Sequence, residues 1–178
     1  MYTSLQRLSE TQPVYLGSLH HSQDINASLL KQYLQHHDEP QTRKTHHFMG
    51  RFENTYLTMQ QVPALQTIAD MANSYAYSIT GQPPSQMRSG FWFNEMHPGQ
   101  RTSLHTHEEI DELLSAVYYI STPKDCGDLV VMLDDDEMRI KPVAGSIVLF
   151  SPDIPHSVDE NRSQSLRLSV AFNFGRKD

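Results

Sequence analysis

The sequence predicts a mainly β protein with accessory α-helices, on three observations. From about residue 90 the chain breaks into short runs rich in β-branched and aromatic side chains. Turn signals separate those runs, and no alternation of strand and helix points to βαβ units. Before residue 90, apolar side chains recur at helical spacing instead. Together these predict a sandwich or barrel over residues 90–174 behind a helical N-terminal extension of residues 1–89, within a single domain of 178 residues.

In chain order, the first helix is expected over residues 24–38. Ile25, Leu29 and Tyr33, with Leu30 and Leu34, supply its apolar positions, and Ser22 or Asp24 its cap. The second helix is expected to start at Pro63. Leu65, Ile68, Ala69, Ala72, Tyr75, Ala76 and Ile79 form its face, and Gly81 with Pro83–Pro84 stops it. The intervening HHFMGRFENTYLTM lacks helical periodicity and reads as a strand or a structured loop. The later strands are expected in GFWFNEMH, LLSAVYYIS, DLVVML, EMRI, GSIVLF and LRLSVAFNF. A sheet in that half needs one apolar face covered, and the two helix faces are the obvious cover.

Composition narrows the function. Acidic side chains outnumber basic ones by 21 to 14, and no basic run of five or more occurs. An obligate nucleic-acid partner is disfavoured, since phosphates must be neutralised by Lys and Arg. A single cysteine, Cys126, excludes an internal disulfide and fits a reducing cytoplasm. The N-terminal residues lack a signal-peptide pattern, and no apolar run approaches the roughly 18 residues of a membrane span.

Ten histidines are the most distinctive feature of the composition. The adjacent pairs His20–His21, His36–His37 and His46–His47 are expected on the surface or in loops, because neighbours point in different directions. His105-Thr106-His107 differs: residues two apart on a strand project to one side and can present two nitrogens to one ion. His156 lies in a turn between two β runs, where the fold can bring it alongside. Imidazole suits zinc, copper, nickel and non-haem iron alike. Arg167 alternates with Ser169 and Ala171 on one face of LRLSVAFNF. A guanidinium there either grips a carboxylate ligand in bidentate fashion, helped by the Ser169 hydroxyl, or pairs with an acidic side chain on a neighbouring strand.

In order and spacing these segments resemble the 2-oxoglutarate and Fe(II)-dependent oxygenases, near the prolyl-hydroxylase-like branch. The resemblance covers residues 90–174 and is carried by Pro98-Gly99 with His105 six residues on, then SAVYYIS, GDLVV, GSIVLFSPDIPHSV and RLSVAFNF. It implies a double-stranded β-helix (jelly roll) with the N-terminal helices packed on one sheet. It also implies iron on His105 and His156, and 2-oxoglutarate as cosubstrate with its far carboxylate on Arg167 and Ser169. Tyr119, and after it Tyr118, matches the tyrosine that joins that hydrogen bonding. The reaction implied is hydroxylation of a small-molecule or peptide substrate by a ferryl oxidant formed as 2-oxoglutarate is decarboxylated.

The chain departs from the family's His-x-Asp or His-x-Glu pattern by placing His107 second. Either His107 completes a three-histidine site, or Glu109 is the carboxylate in a shifted His107-Glu108-Glu109 register. The spacing from Gly99 favours His107. A second resemblance, to cupins, uses Gly99, His105, His107, Glu112 and the stretch from Gly145 to His156. There, however, Tyr119 stands where a glycine is expected, and Arg167-x-Ser169 has no role. A non-catalytic jelly-roll binding module is the third reading. The segment GRFENTY offers Arg51, Glu53, Asn54 and Tyr56 either to a pocket mouth or to an exposed connecting strand.

Overall fold

The computed structural model describes residues 1–107, 111–134 and 136–177. The first helix, α1 (Gln23–His36), buries Leu29 and Tyr33 on the side the periodicity predicts, whereas Leu34 is exposed. Ser22 occupies the N-cap position but makes no side-chain capping bond; its buried hydroxyl packs against Gly145 instead. Pro63 opens a 3-10 turn that leads into α2 (Gln66–Thr80). Ile68, Ala69, Ala72, Tyr75 and Ala76 are buried as predicted, Met71 joins them, and Gly81 closes the helix at φ +70°.

Eight strands form the main antiparallel sheet. Four of them come from before residue 87: β1 (Gln6–Arg7), β2 (Val14–Ser18), β3 (Arg43–Phe48) and β4 (Arg51–Tyr56). Of these, β3 and β4 fall in the segment read as a strand or a structured loop, while β1 and β2 carried no sign in the sequence. The segment between the helices is a β3–β4 hairpin, turned by Met49 and Gly50, both at positive φ. Its strand residues are mostly polar, exposed or half-exposed on β3 but buried at Glu53, Asn54 and Thr55 of β4, so they carried no apolar alternation to read.

The remaining strands of the main sheet are β5 (Met87–Met96), β6 (Glu112–Ser121), β9 (Ser146–Phe150) and β11 (Arg167–Arg176). Their order is β1-β2-β9-β6-β11-β5-β4-β3. A second, three-stranded sheet runs β10-β7-β8, with β7 (Leu129–Met132), β8 (Glu137–Ile140) and β10 (His156–Val158). Facing antiparallel sheets with helices on the outside of the larger one make the double-stranded β-helix, or jelly roll, that the sequence implied.

Strand alternation sorts the residues to the two faces of the main sheet. On β11, Leu168, Val170, Phe172 and Phe174 join the core beneath the helices, together with Phe93, Tyr118, Ile147, Leu149 and α2 side chains. Tyr119, Val148 and Phe150 face the other way and meet Leu129, Val131 and Ile140 of the small sheet. Burying each such aliphatic or aromatic side chain contributes about 1.5–3 kcal/mol. The seat of α2 depends on Gly17 of β2, since a Cβ there would lie 2.7 Å from the Tyr75 ring. Between β6 and β11 the register slips twice; at the slip nearer the site Leu168 faces Ser121 and Ser169 faces Tyr119, so Ile120 is an extra residue on β6.

Candidate metal centre

His105 and His107 do not lie on a regular strand. The loop from residue 97 to 107 is held instead by hydrogen bonds from both sides. Gly99 N–H donates to Asn161 O at 2.7 Å, Thr102 N–H to Val158 O at 3.1 Å, and His107 N–H to Pro152 O at 2.8 Å. His105 and His156 form an isolated antiparallel bridge, exchanging N–H···O bonds of 3.1 and 3.0 Å. Residues directly opposite in such a pair project to the same face, so the bridge aims the first and last histidines together. The three ring centroids lie 4.4 Å (His105–His156), 4.9 Å (His105–His107) and 5.0 Å (His107–His156) apart. Their ligating nitrogens all fall within 4.8 Å of one another.

Two of the rings are set for a metal by their tautomer. Nδ1 of His105 lies 2.9 Å from Ser103 O, and Nδ1 of His156 lies 3.0 Å from Ile154 O. A carbonyl can only accept, so each Nδ1 carries the proton and each Nε2 is left with a free lone pair. Metal-bound histidines are held in this way. Burial, and then the neighbouring His105 ring, push His107 down to about 4 and His156 down to about 3. Both are therefore neutral near pH 7, the form that binds metal. Three convergent imidazoles fit a transition metal such as iron. Glu109, the alternative third ligand, lies outside the described residues.

The triad opens onto a cavity of about 280 Å³ that is also lined by Arg167 and Ser169. Both are buried in the middle of the jelly roll. Arg167 Nη1 donates to Met96 Sδ at 3.3 Å, while Nε and Nη2 have no protein hydrogen-bond partner. Among the described residues Arg167 forms no ion pair, so an acidic partner on a neighbouring strand is not what holds it there. Nε and Nη2 are the adjacent pair on one edge of a guanidinium, the pair that grips a carboxylate side-on. The Arg167 guanidinium sits 5.4 Å from the Tyr119 ring centre, and the buried Tyr119 hydroxyl is likewise unpartnered. Burial raises the Tyr119 phenol to about 12 against the pull of Arg167, so it stays protonated as a donor. Tyr118 faces the helices instead, its hydroxyl donating to Asn26 Oδ1 at 2.7 Å.

At the mouth, Glu53, Asn54 and Tyr56 of β4 line the cavity. Arg51 does not; its guanidinium is spent on the carbonyls of Phe52, Glu95 and Arg101. His46, exposed as expected, also lines the cavity and accepts Asn54 Nδ2–H at 3.0 Å. The sequence reading also passed over Asn94, which bonds Asn54 Oδ1 at 2.9 Å, and Trp92, 5.5 Å from the His107 ring. Only their alternation on β5, facing the same way as Arg167 across the sheet, could have flagged them.

Fold and site together define a jelly-roll protein with a cluster of three histidines that could hold a metal ion. The family model of the 2OG-Fe(II) oxygenase superfamily matches residues 91–175. Solved structures agree on the fold. A Pseudomonas putida prolyl-4-hydroxylase is 20% identical, with 94% of this chain and 95% of that one covered at a TM-score of 0.73. A Trichoplax adhaerens prolyl hydroxylase, solved with a hypoxia inducible factor peptide fragment, is 13% identical over 93% and 84% at 0.74. SnoK, a non-heme alpha ketoglutarate dependent carbocyclase of nogalamycin biosynthesis, is 14% identical over 99% and 80% at 0.68. No curated protein sequence matches the chain.

Proposed function

We propose that this protein is an Fe(II)- and 2-oxoglutarate-dependent oxygenase that hydroxylates a small-molecule or peptide substrate. His105, His107 and His156 would hold the iron, and Arg167, Ser169 and Tyr119 the far carboxylate of 2-oxoglutarate. The observation that carries this reading is the buried Arg167 fork, its Nε and Nη2 unpartnered on the wall of the cavity that the histidines share. A buried guanidinium without an anion is costly, so the fold keeps it for a ligand that brings one. Bound iron, with 2-oxoglutarate and O2, supplies the oxidising power. The chain's own residues bind and orient. Arg167 fixes the oxo acid by two parallel charge-assisted bonds, with the Ser169 and Tyr119 hydroxyls as further donors. Val117, Leu129, Phe150 and Ala171 give the cavity an apolar wall that excludes water from the oxidising centre.

A cupin-type metalloenzyme would use the same three histidines but gives Arg167 nothing to do, and a binding module needs neither. Anaerobic Fe(II)-loaded protein titrated with 2-oxoglutarate tests the proposal. A metal-to-ligand charge-transfer band is expected on addition, and its absence from iron-loaded protein would overturn the assignment.

A further inference from the structure

Glu53 is buried on β4, an unusual place for a carboxylate, and both of its oxygens are taken by one residue of the metal loop. Ser103 N–H donates to Oε1 at 3.1 Å, and the Ser103 hydroxyl donates to Oε2 at 3.0 Å. The carbonyl of that same Ser103 accepts the Nδ1–H of His105 at 2.9 Å. Two residues earlier, Arg101 O receives Arg51 Nη2–H at 2.9 Å, and this guanidinium nitrogen lies 3.9 Å from Glu53 Oε1. The hairpin strand thus grips the loop at two points immediately before the first histidine.

We infer that Glu53 is a positioning residue for His105, acting through Ser103. The inference rests on the reading of His105 as a metal ligand. With its amide and hydroxyl both fixed by the carboxylate, Ser103 has one direction left for its carbonyl, and that carbonyl selects the tautomer that presents Nε2 to the metal. His105 is exposed, whereas His156 gets the same service from Ile154 within its own buried turn. Apart from the His107 and His156 rings this exposed side chain in an irregular loop has little packing to orient it, so hydrogen bonds supply the rest of its orientation. The cavity-facing Asn54 follows Glu53 directly, which joins the mouth of the site to its metal ligand through one strand.

Two measurements test this on the full chain. Imidazole 15N–1H correlation spectra of metal-free protein at neutral pH should show His105 in the single Nδ1–H tautomer. In Glu53→Ala a mixture with the Nε2–H form is expected, and Glu53→Gln, which keeps an acceptor for the Ser103 amide, should restore most of the wild-type signal. Titration with Co(II) alone should show affinity falling about 10- to 100-fold in Glu53→Ala and by less than about fivefold in Glu53→Gln, the scale of outer-shell effects on metal sites. Glu53→Asp retains the buried charge but is one methylene too short to meet both Ser103 groups. It should behave like Glu53→Ala and serves in its place if that variant does not fold. An unchanged His105 tautomer in the folded Ala or Asp variant overturns the relay. A wild type that takes up no Co(II) removes the metal reading instead, while the tautomer result still decides the relay.

Discussion

Replacing Arg167 by lysine keeps the charge and removes the fork. In the structure Nη1 is occupied by Met96 Sδ, and Nε and Nη2 are the two donors without a protein partner. A carboxylate docked there gains two charge-assisted hydrogen bonds from a rigid plane. An ammonium on a flexible stem supplies one, from a point charge. Losing one hydrogen bond to a charged group costs about 1.5–3 kcal/mol, or roughly 10- to 150-fold in 2-oxoglutarate affinity. Metal affinity should be nearly unchanged, because Arg167 is not among the three clustered histidines. Calorimetric titration of 2-oxoglutarate into matched Mn(II)-loaded wild type and Arg167→Lys measures this. Equal affinities would refute the fork, and no binding by the wild type would refute the cosubstrate assignment.

The two adjacent tyrosines should separate stability from binding. Tyr118→Phe strands the buried Asn26 and is expected to cost about 1–2 kcal/mol in urea unfolding without altering 2-oxoglutarate affinity. Tyr119→Phe should leave unfolding unchanged, its hydroxyl having no protein partner, and weaken 2-oxoglutarate by roughly 3- to 10-fold, about the net worth of one hydrogen bond. The metal-free protein should lose stability as pH falls from 7 to 5. Unfolded imidazoles take up protons near 6.5, whereas folded His107 and His156 resist them down to about 4 and about 3, so the unfolded state binds more protons across that window. A urea midpoint that stays level or rises would contradict this. Gly127→Ala should cost about 2–4 kcal/mol, read from the same midpoint, since its φ of +91° is strained for any side chain and its Cβ would meet the Asp159 carbonyl.

Much of the site was legible because its chemistry sits in residue types that rarely appear without cause. His105, His107 and His156 stood out by spacing, and Arg167 by being a cation in a β run whose other face is apolar. What the sequence hid was polar structure. Strands β3 and β4 have no apolar alternation because the hairpin lies at the sheet edge and faces the cavity mouth, so nothing local tied the exposed His46 to the cavity. The conformation of the metal loop was misjudged for a related reason. Two-residue periodicity predicts a strand for His105-Thr106-His107, yet the rings converge through a bridge to His156 and a bond to Pro152, long-range partners that local pattern does not encode. Ser22 shows the same limit: its position was right for a cap, but tertiary packing against Gly145 claimed its side chain.

The extra residue at Ile120 makes the site a matter of strand phase. Ile120 packs with the helix-side core, while Tyr119 beside it faces Ser169 across the sheet. Were the pairing to continue unbroken from Leu168 opposite Ser121, Ser169 would stand opposite Ile120 and each inward residue of β6 would exchange faces with its neighbour. Tyr118 would then crowd the guanidinium, and Tyr119 would be thrust beneath the helices. Deleting Ile120 would close the bulge with Tyr119 still opposite Ser169 and Ser121 still opposite Leu168, so the bulge is the device that lets β6 carry one residue more than its partner without turning Tyr119 away from Arg167.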